Sequence, residues 1–246
     1  MDRSTEQILG FGTMVSARTD GTGPADRSNC FASPQVITDP NIKQEPGLKP
    51  ADVFLGRQAI VDRYRNVIAY ELLFRAGPDG CARVTDHSMA TATVIANAFD
   101  TLGIQTVVGD CRAFINVDGP TLMSEAIETL PQQRVVIELL ETIRVSDEIV
   151  RRCRELKAQG YRLALDDFSV YGEEYEPLLD VVDIVKVDTL MLEPASLANL
   201  VARLKMWPLR LLAEKVDCKQ RATDCLALGF NLFQGFFFGR PVTLAA

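Results

Sequence analysis

Residues 161–188 read YRLALDDFSVYGEEYEPLLDVVDIVKVD. Two short apolar runs flank a loop and a short helical segment, and each run closes on charged groups at its carboxyl end. RLALDD ends on Asp166 and Asp167, and DIVKVD carries Lys186 and ends on Asp188. Apolar runs without polar alternation are buried on both faces, which fits parallel strands. The same form recurs outward in both directions. One run closes on Glu71, AFINV on Asn116, RVVIEL on Glu138, RLLAE on Glu214 and NLFQ on Gln234. In a closed βα barrel such ends converge on one mouth, where catalytic groups gather. A ring of carboxylates there, without histidine or cysteine, points to oxygen-ligated divalent metal.

Helical segments lie between these runs, near 88–102, 120–129, 196–205 and 218–229. SDEIVRRCRELKAQG (146–160) has an acidic first turn, later basic residues and Gly160 as its stop. Ahead of the alternation, VFLGRQAIVD and NVIAYELLFRA pair as a hairpin around residues 63–66. Residues 1–50, rich in Gly, Ser, Thr, Asp and Pro, read as disordered or linker chain, so the ordered domain is expected over 51–246. A doubly wound open sheet is the competing architecture. The barrel is favoured because polar strand ends recur on nearly every strand, whereas an open sheet concentrates them at one crevice.

The 246 residues carry a net charge of −7 and are 47% hydrophobic, enough for one domain with a substantial core. The acidic balance argues against nucleic acid as a partner. It leaves room for a small phosphate ligand, because bound metal inverts the local sign of charge. No run approaches the roughly 20 apolar residues of a membrane span. The start, MDRSTEQILGFGTM, lacks signal-peptide form, so no membrane association and a cytoplasmic address are expected.

Six cysteines show neither CxxC pairs nor zinc-like spacing. Cys218 and Cys225, seven apart, read as one buried helical face. His87, the only histidine, reads as a helix-start or surface residue. Histidine-pair chemistry therefore has nothing to build on.

Glu71, Asn116, Glu138 and Asp166 offer hard oxygen ligands from four strands. Asp167 can ligate a second ion about 4 Å away and share a bridging water. Lys186 can orient or deprotonate an attacking water, or neutralise charge. Glu214 and Gln234 face them from the remaining wall, and Arg75 offers a planar fork for phosphate. Asp188 is open between a pairing role and a structural one. Glu141 reads as a supporting or surface acid, Asp183 as a cap, and the aromatic run LFQGFFFGRP as a barrel-closing contact with one phenylalanine near a ligand.

The series ELLFR (71–75), INV (115–117), IELLE (137–141), LDDF (165–168), VKVD (185–188), LLAEK (211–215) and FQGFFFGRP (233–241) resembles the EAL domain of bacterial cyclic di-GMP signalling. The resemblance runs from about Val53 to Pro241. It implies an α/β fold, a modified TIM-like (β/α)8 barrel with one antiparallel strand. It also implies metal-dependent hydrolysis of cyclic di-GMP to linear pGpG with Mg²⁺ or Mn²⁺, in a suspected two-metal site. Carried over by position, Glu71, Asn116, Glu138, Asp166 and Asp167 become metal ligands, and Lys186 and Glu214 catalytic residues. Gln58, Leu73, Arg75, Asp188 and Gln234 become ligand contacts.

The departures are local. After Asp166-Asp167-Phe168 the family's Gly-Thr-Gly-Tyr-Ser-Ser loop is replaced by SVYGEEYEPLL (169–179). Lys215 stands where the family has glycine and could compete with metal for Glu214 or simply point to solvent, while Asp217 replaces a glutamate. FLGRQAIVDR and LLAEKVD look most like EAL domains joined to a following HDOD domain. No such segment follows before Ala246, so a shortened or stand-alone version is expected. Two functions emerge: a cyclic di-GMP phosphodiesterase, or a weak or inactive domain serving as a cyclic di-GMP receptor or adaptor. Either could involve a homodimer or another protein partner.

Overall fold

The expected hairpin is the element that closes the molecule. A computed structural model of the chain describes residues 36–38, 53–76 and 86–245. Its strands are β1 (Val36–Thr38), β2 (Phe54–Asp62), β3 (Val67–Phe74), β4 (Arg112–Val117), β5 (Val135–Leu139), β6 (Arg162–Leu165), β7 (Ile184–Asp188), β8 (Arg210–Glu214), β9 (Leu232–Phe233) and β10 (Val242–Ala245). Strands β3 to β9 lie side by side in chain order, all parallel, and β2 pairs antiparallel with both β3 and β9. Eight strands thus close into a barrel with one antiparallel member, and the open-sheet alternative falls.

The turn between β2 and β3 is held by Asp62, whose side chain accepts from the backbone N–H of Tyr64 and Asn66 and from the Asn66 amide. Those hydrogen bonds, led by the one from the Asn66 side chain, hold the Asp62 carboxyl below its ordinary value. Arg65 takes the left-handed conformation the turn requires (φ 69°).

One feature escaped the sequence pattern. Strand β10 pairs antiparallel with residues 54–57 of β2, beyond the stretch that meets β9, and β1 adds parallel to β10. PVTLAA is too short and too weakly patterned to announce a strand. Apart from Val36–Thr38, the expected linker over 1–50 lies outside the described residues.

Helices pack around the barrel. The helix Asp147–Ala158 starts where the Ser146 side chain accepts from the Ile149 N–H and stops before Gly160 (φ 100°). The helix His87–Ile95 begins beside His87, which is exposed, and runs on through one π-helical turn, Ala96–Thr101. Cys225 is buried in the helix Lys219–Leu228, as expected. Cys218 is not: it caps that helix from outside and is exposed, so seven-residue spacing does not place it on the buried face. No helix among the described residues is long and apolar enough to cross a membrane.

The strands sort their side chains with a period of two. Outward-facing Ile115, Val117, Ile137, Leu139, Leu163, Leu165, Val185, Val187, Leu211 and Ala213 join the helices in one large core. A second cluster takes one residue from each barrel strand: Ile60, Ala69, Phe114, Val136, Ala164, Ile184, Leu212 and Leu232. This is the plug inside the barrel, filled by side chains as such barrels require. Phe114 is its largest member and is fully buried. Phe114→Ala should cost about 3–5 kcal/mol of stability, read as a lower denaturant midpoint. Val170→Ala, at an exposed position, should stay within about 0.5 kcal/mol.

Candidate functional site

Two residues beyond the plug on every barrel strand, counted towards the mouth, the side chain is polar. Ala69 leads to Glu71, Phe114 to Asn116, Val136 to Glu138, Ala164 to Asp166, Ile184 to Lys186, Leu212 to Glu214 and Leu232 to Gln234. Strand β2 runs the other way, so Ile60 leads back to Gln58. The pleat therefore lays a polar ring directly over an apolar plug.

Lys186 is the centre of that ring and is fully buried. Its Nζ pairs with Glu138, and lies 2.8 Å from Asp166 Oδ1, 2.9 Å from Glu214 Oε1 and 3.8 Å from Glu71 Oε2. Burial alone would depress the lysine, but the four carboxylates outweigh it and hold the ammonium well above its ordinary range. Lys186 is thus held as a positive charge in this arrangement. The carboxylates divide. Burial pushes Glu138 well up and Glu214 up to about 8, against the opposing pull of Lys186. Asp166 is also raised by burial, yet Lys186 and its hydrogen bonds bring it below its ordinary value.

Amides orient Glu71. Asn116 Nδ2 donates to Oε1 at 3.1 Å, and Gln234 Nε2 donates to Oε2 at 2.5 Å and to Gln58 Oε1 at 3.2 Å. Gln58 Nε2 in turn donates to the Gly239 carbonyl. Gly235 makes the exit from β9 possible: at φ 149° its Cα faces Val216, and a Cβ would lie 2.2 Å from the Val216 carbonyl oxygen.

A cavity of about 460 Å³ opens above the ring, lined by Gln58, Glu71, Asp166, Asp167, Lys186 and Glu214 among others. Phe236, 57% exposed, also lines it, with the Arg240 guanidinium 4.5 Å from its ring centre. Phe237 and Phe238 pack against each other and beneath Arg65, as barrel-closing contacts should.

Several expected residues sit elsewhere. The Arg75 guanidinium lies against Gly56 and donates to the Phe74 carbonyl, and it does not line the cavity. Leu73 lines a smaller cleft with Asn116. Asp188, buried, pairs not with Lys186 but with Lys215 at 2.6 Å, and accepts from the Leu190 N–H. Lys215 also reaches Asp167 at 3.1 Å, so it does not compete for Glu214. Asp183 clasps Lys157 and the Leu163 N–H on the far side of the barrel. Sequence reasoning missed Thr91 and Thr189, whose hydroxyls donate to the carbonyls of Asn116 and Glu214. A threonine hydroxyl aimed at a neighbouring backbone leaves no periodic signal.

The donor set fits a hard divalent cation. Among the described residues, Asn116 Oδ1, Glu138 Oε2, Glu214 Oε2 and Gln234 Oε1 are buried acceptors with no hydrogen-bond partner. Buried acceptors are ordinarily paired, and four unpaired oxygens around one ring are what such an ion takes up. Glu141, exposed, joins the rim from outside: its ligand atom and those of Asp166 and Asp167 lie within 4.8 Å of one another.

The family model for the EAL domain matches residues 52–241. The chain belongs to the EAL domain family. YuxH of Bacillus subtilis, an uncharacterised protein, is 34% identical over 193 residues, covering 77% of this chain and 47% of YuxH. Cyclic di-GMP phosphodiesterase CdgJ of Vibrio cholerae is 35% identical over 191 residues, covering 76% of this chain and 44% of CdgJ. The chain thus spans about half the length of the curated relatives it matches. The EAL domain of Mycobacterium smegmatis DcpA superposes with a TM-score of 0.64 at 23% identity, over 78% of this chain and 93% of that one. Bacillus subtilis YkuI, solved with cyclic di-GMP and calcium, gives 0.63 at 18% identity, over 77% and 55%. At these identities the structural likenesses establish the EAL barrel fold.

The raised carboxyls carry a pH signature. A carboxyl held above its unfolded value binds its proton more tightly in the folded chain. Its contribution to stability is full below the ordinary value of 4.5 and is lost as the pH rises through about 8, the folded value for Glu214. With a chelator present, the denaturant midpoint of the EAL domain should fall across that window, and Glu214→Gln should flatten the fall. A wild-type midpoint independent of pH there would refute the buried carboxyl arrangement.

Proposed function

We propose that the chain is a cyclic di-GMP phosphodiesterase that hydrolyses its ligand to linear pGpG with Mg²⁺ or Mn²⁺. The observation that carries this reading is the ring of Glu71, Asn116, Glu138, Asp166 and Glu214 beneath an open cavity, in which Asn116 Oδ1, Glu138 Oε2 and Glu214 Oε2 are buried without a partner. The assignment also draws on CdgJ, which is named for that activity, and on YkuI, solved with the same dinucleotide and a divalent ion.

Glu71, Asn116, Glu138 and Asp166 would hold one ion and Asp167 a second. Such ions supply Lewis-acid polarisation of a phosphoryl oxygen and acidify water. The rest is the work of the side chains. Lys186 stays protonated and neutralises charge growing beside Glu138 and Asp166. Asn116 and Gln234 fix both oxygens of Glu71, so its orientation is set before ligand arrives. Phe236 offers an exposed ring face on which a purine can stack, and the plug keeps water out from below.

The receptor or adaptor reading draws on one observation. Residues 169–179 are pinned rather than loose: Tyr175 stacks edge-on with Phe168, and Tyr171 packs on Trp207 beneath Arg203. The two readings separate in one experiment. Purified protein is incubated with cyclic di-GMP and Mn²⁺, and linear product is followed by chromatography. Turnover is expected, and Glu138→Gln should lower it by about 10²–10³ with an unchanged circular dichroism spectrum. Calorimetric binding without turnover would replace the enzyme with the receptor.

A further inference from the structure

Three non-glycine residues among those described take a left-handed backbone: Arg65 in the hairpin, and Asp167 and Lys215 at the barrel mouth (φ 43° and 54°). That conformation costs any side chain with a Cβ and costs glycine little. The two at the mouth are bonded to each other. Lys215 Nζ lies 3.1 Å from Asp167 Oδ1 and 2.6 Å from Asp188 Oδ2. Both aspartates therefore place an oxygen on one nitrogen, and a single cation, the ammonium, bridges them.

The surroundings make that nitrogen exchangeable. Asp188 is buried, its other oxygen is taken by the Leu190 N–H, and Lys215 is its one cationic partner among the described residues. Without the lysine a buried carboxylate would lack compensation, a strongly unfavourable state. Lys215 itself is half-exposed on a flexible stem and lines the cavity, so its ammonium can swing into solvent without disturbing the packed strands. Lys186 differs: it is fully buried at the floor of the cavity and paired with four carboxylates. The mouth thus holds one buried cation and one removable one.

We propose that Lys215 is a tethered cation holding the place of a second divalent ion, bridging Asp167 and Asp188 until that ion displaces it. This rests on the divalent-ion reading of the ring above. One ion is then taken up at the Glu71, Asn116, Glu138 and Asp166 oxygens beside the buried Lys186, with no part played by Lys215. A second binds only at the expense of the lysine pairing, so the population of two-ion protein responds to ion concentration instead of being constitutive.

The test is Mn²⁺ binding to the full chain, by calorimetry with free Mn²⁺ counted by electron paramagnetic resonance. Two-step binding is expected for wild type, with the second ion weaker than the first by at least about tenfold. Lys215→Gly, which removes the ammonium and suits the backbone, should tighten the second ion by about tenfold or more and leave the first unchanged. Lys215→Asn, also neutral and tolerant of the left-handed region, should behave alike, while Lys215→Arg should keep the wild-type pattern. The proposal is overturned if the neutral variants leave the second ion's affinity unchanged, or if wild type binds two ions with equal strength. A first ion lost in Glu138→Gln, together with a second step that the neutral Lys215 variants do not move, would sink the role of Lys215 alone. Absence of Mn²⁺ binding in wild type and variants alike would sink the ion reading of the whole ring.

Discussion

Closing eight strands into a barrel forces every second side chain into the lumen, where there is room for only a few layers. In this chain one layer is spent on an apolar plug and the next, towards the mouth, on polar groups. The rest of the site follows from that stacking. Acids that would be scattered along a linear sequence are driven into one ring, at a depth where water cannot solvate them fully.

Such a ring is electrostatically expensive, and the chain meets the cost with lysine. Lys186 pairs with four carboxylates, yet Glu138 and Glu214 remain raised by burial. A buried ion cluster of this kind is weak evidence of stability, because desolvation consumes much of the Coulombic gain. Its unpaired oxygens make better sense as a receptive surface for a cation than as structure. Lys215 repeats the device at the outer edge, where it is half-exposed and bridges Asp167 and Asp188.

Much of this was legible in the linear chain. The barrel followed from continuous apolar runs ending in polar residues, and the antiparallel strand from the hairpin at residues 63–66. Glu71, Asn116, Glu138, Asp166, Lys186, Glu214 and Gln234 were readable because each is a polar residue at or near the carboxyl end of an apolar run. Other assignments were not readable, for nameable reasons. Arg75 follows Glu71 by four residues, but it lies past the end of β3, where the pleat no longer dictates direction, and it turns back on Phe74. The partner of Asp188 depended on the curl of a neighbouring strand end, and β10 on pairing with a strand nearly two hundred residues away in sequence.

By itself the sequence determined the barrel strands, the helices between them and which polar residues lie towards the carboxyl ends of those strands, because those properties rest on continuous apolar runs and local composition. Only the tertiary structure decided which charges meet. It placed Lys186 among four acids, gave Lys215 to Asp167 and Asp188, and left four oxygens without partners. Pairing across a barrel depends on stagger and curvature summed over all eight strands, and no short window of residues contains that sum.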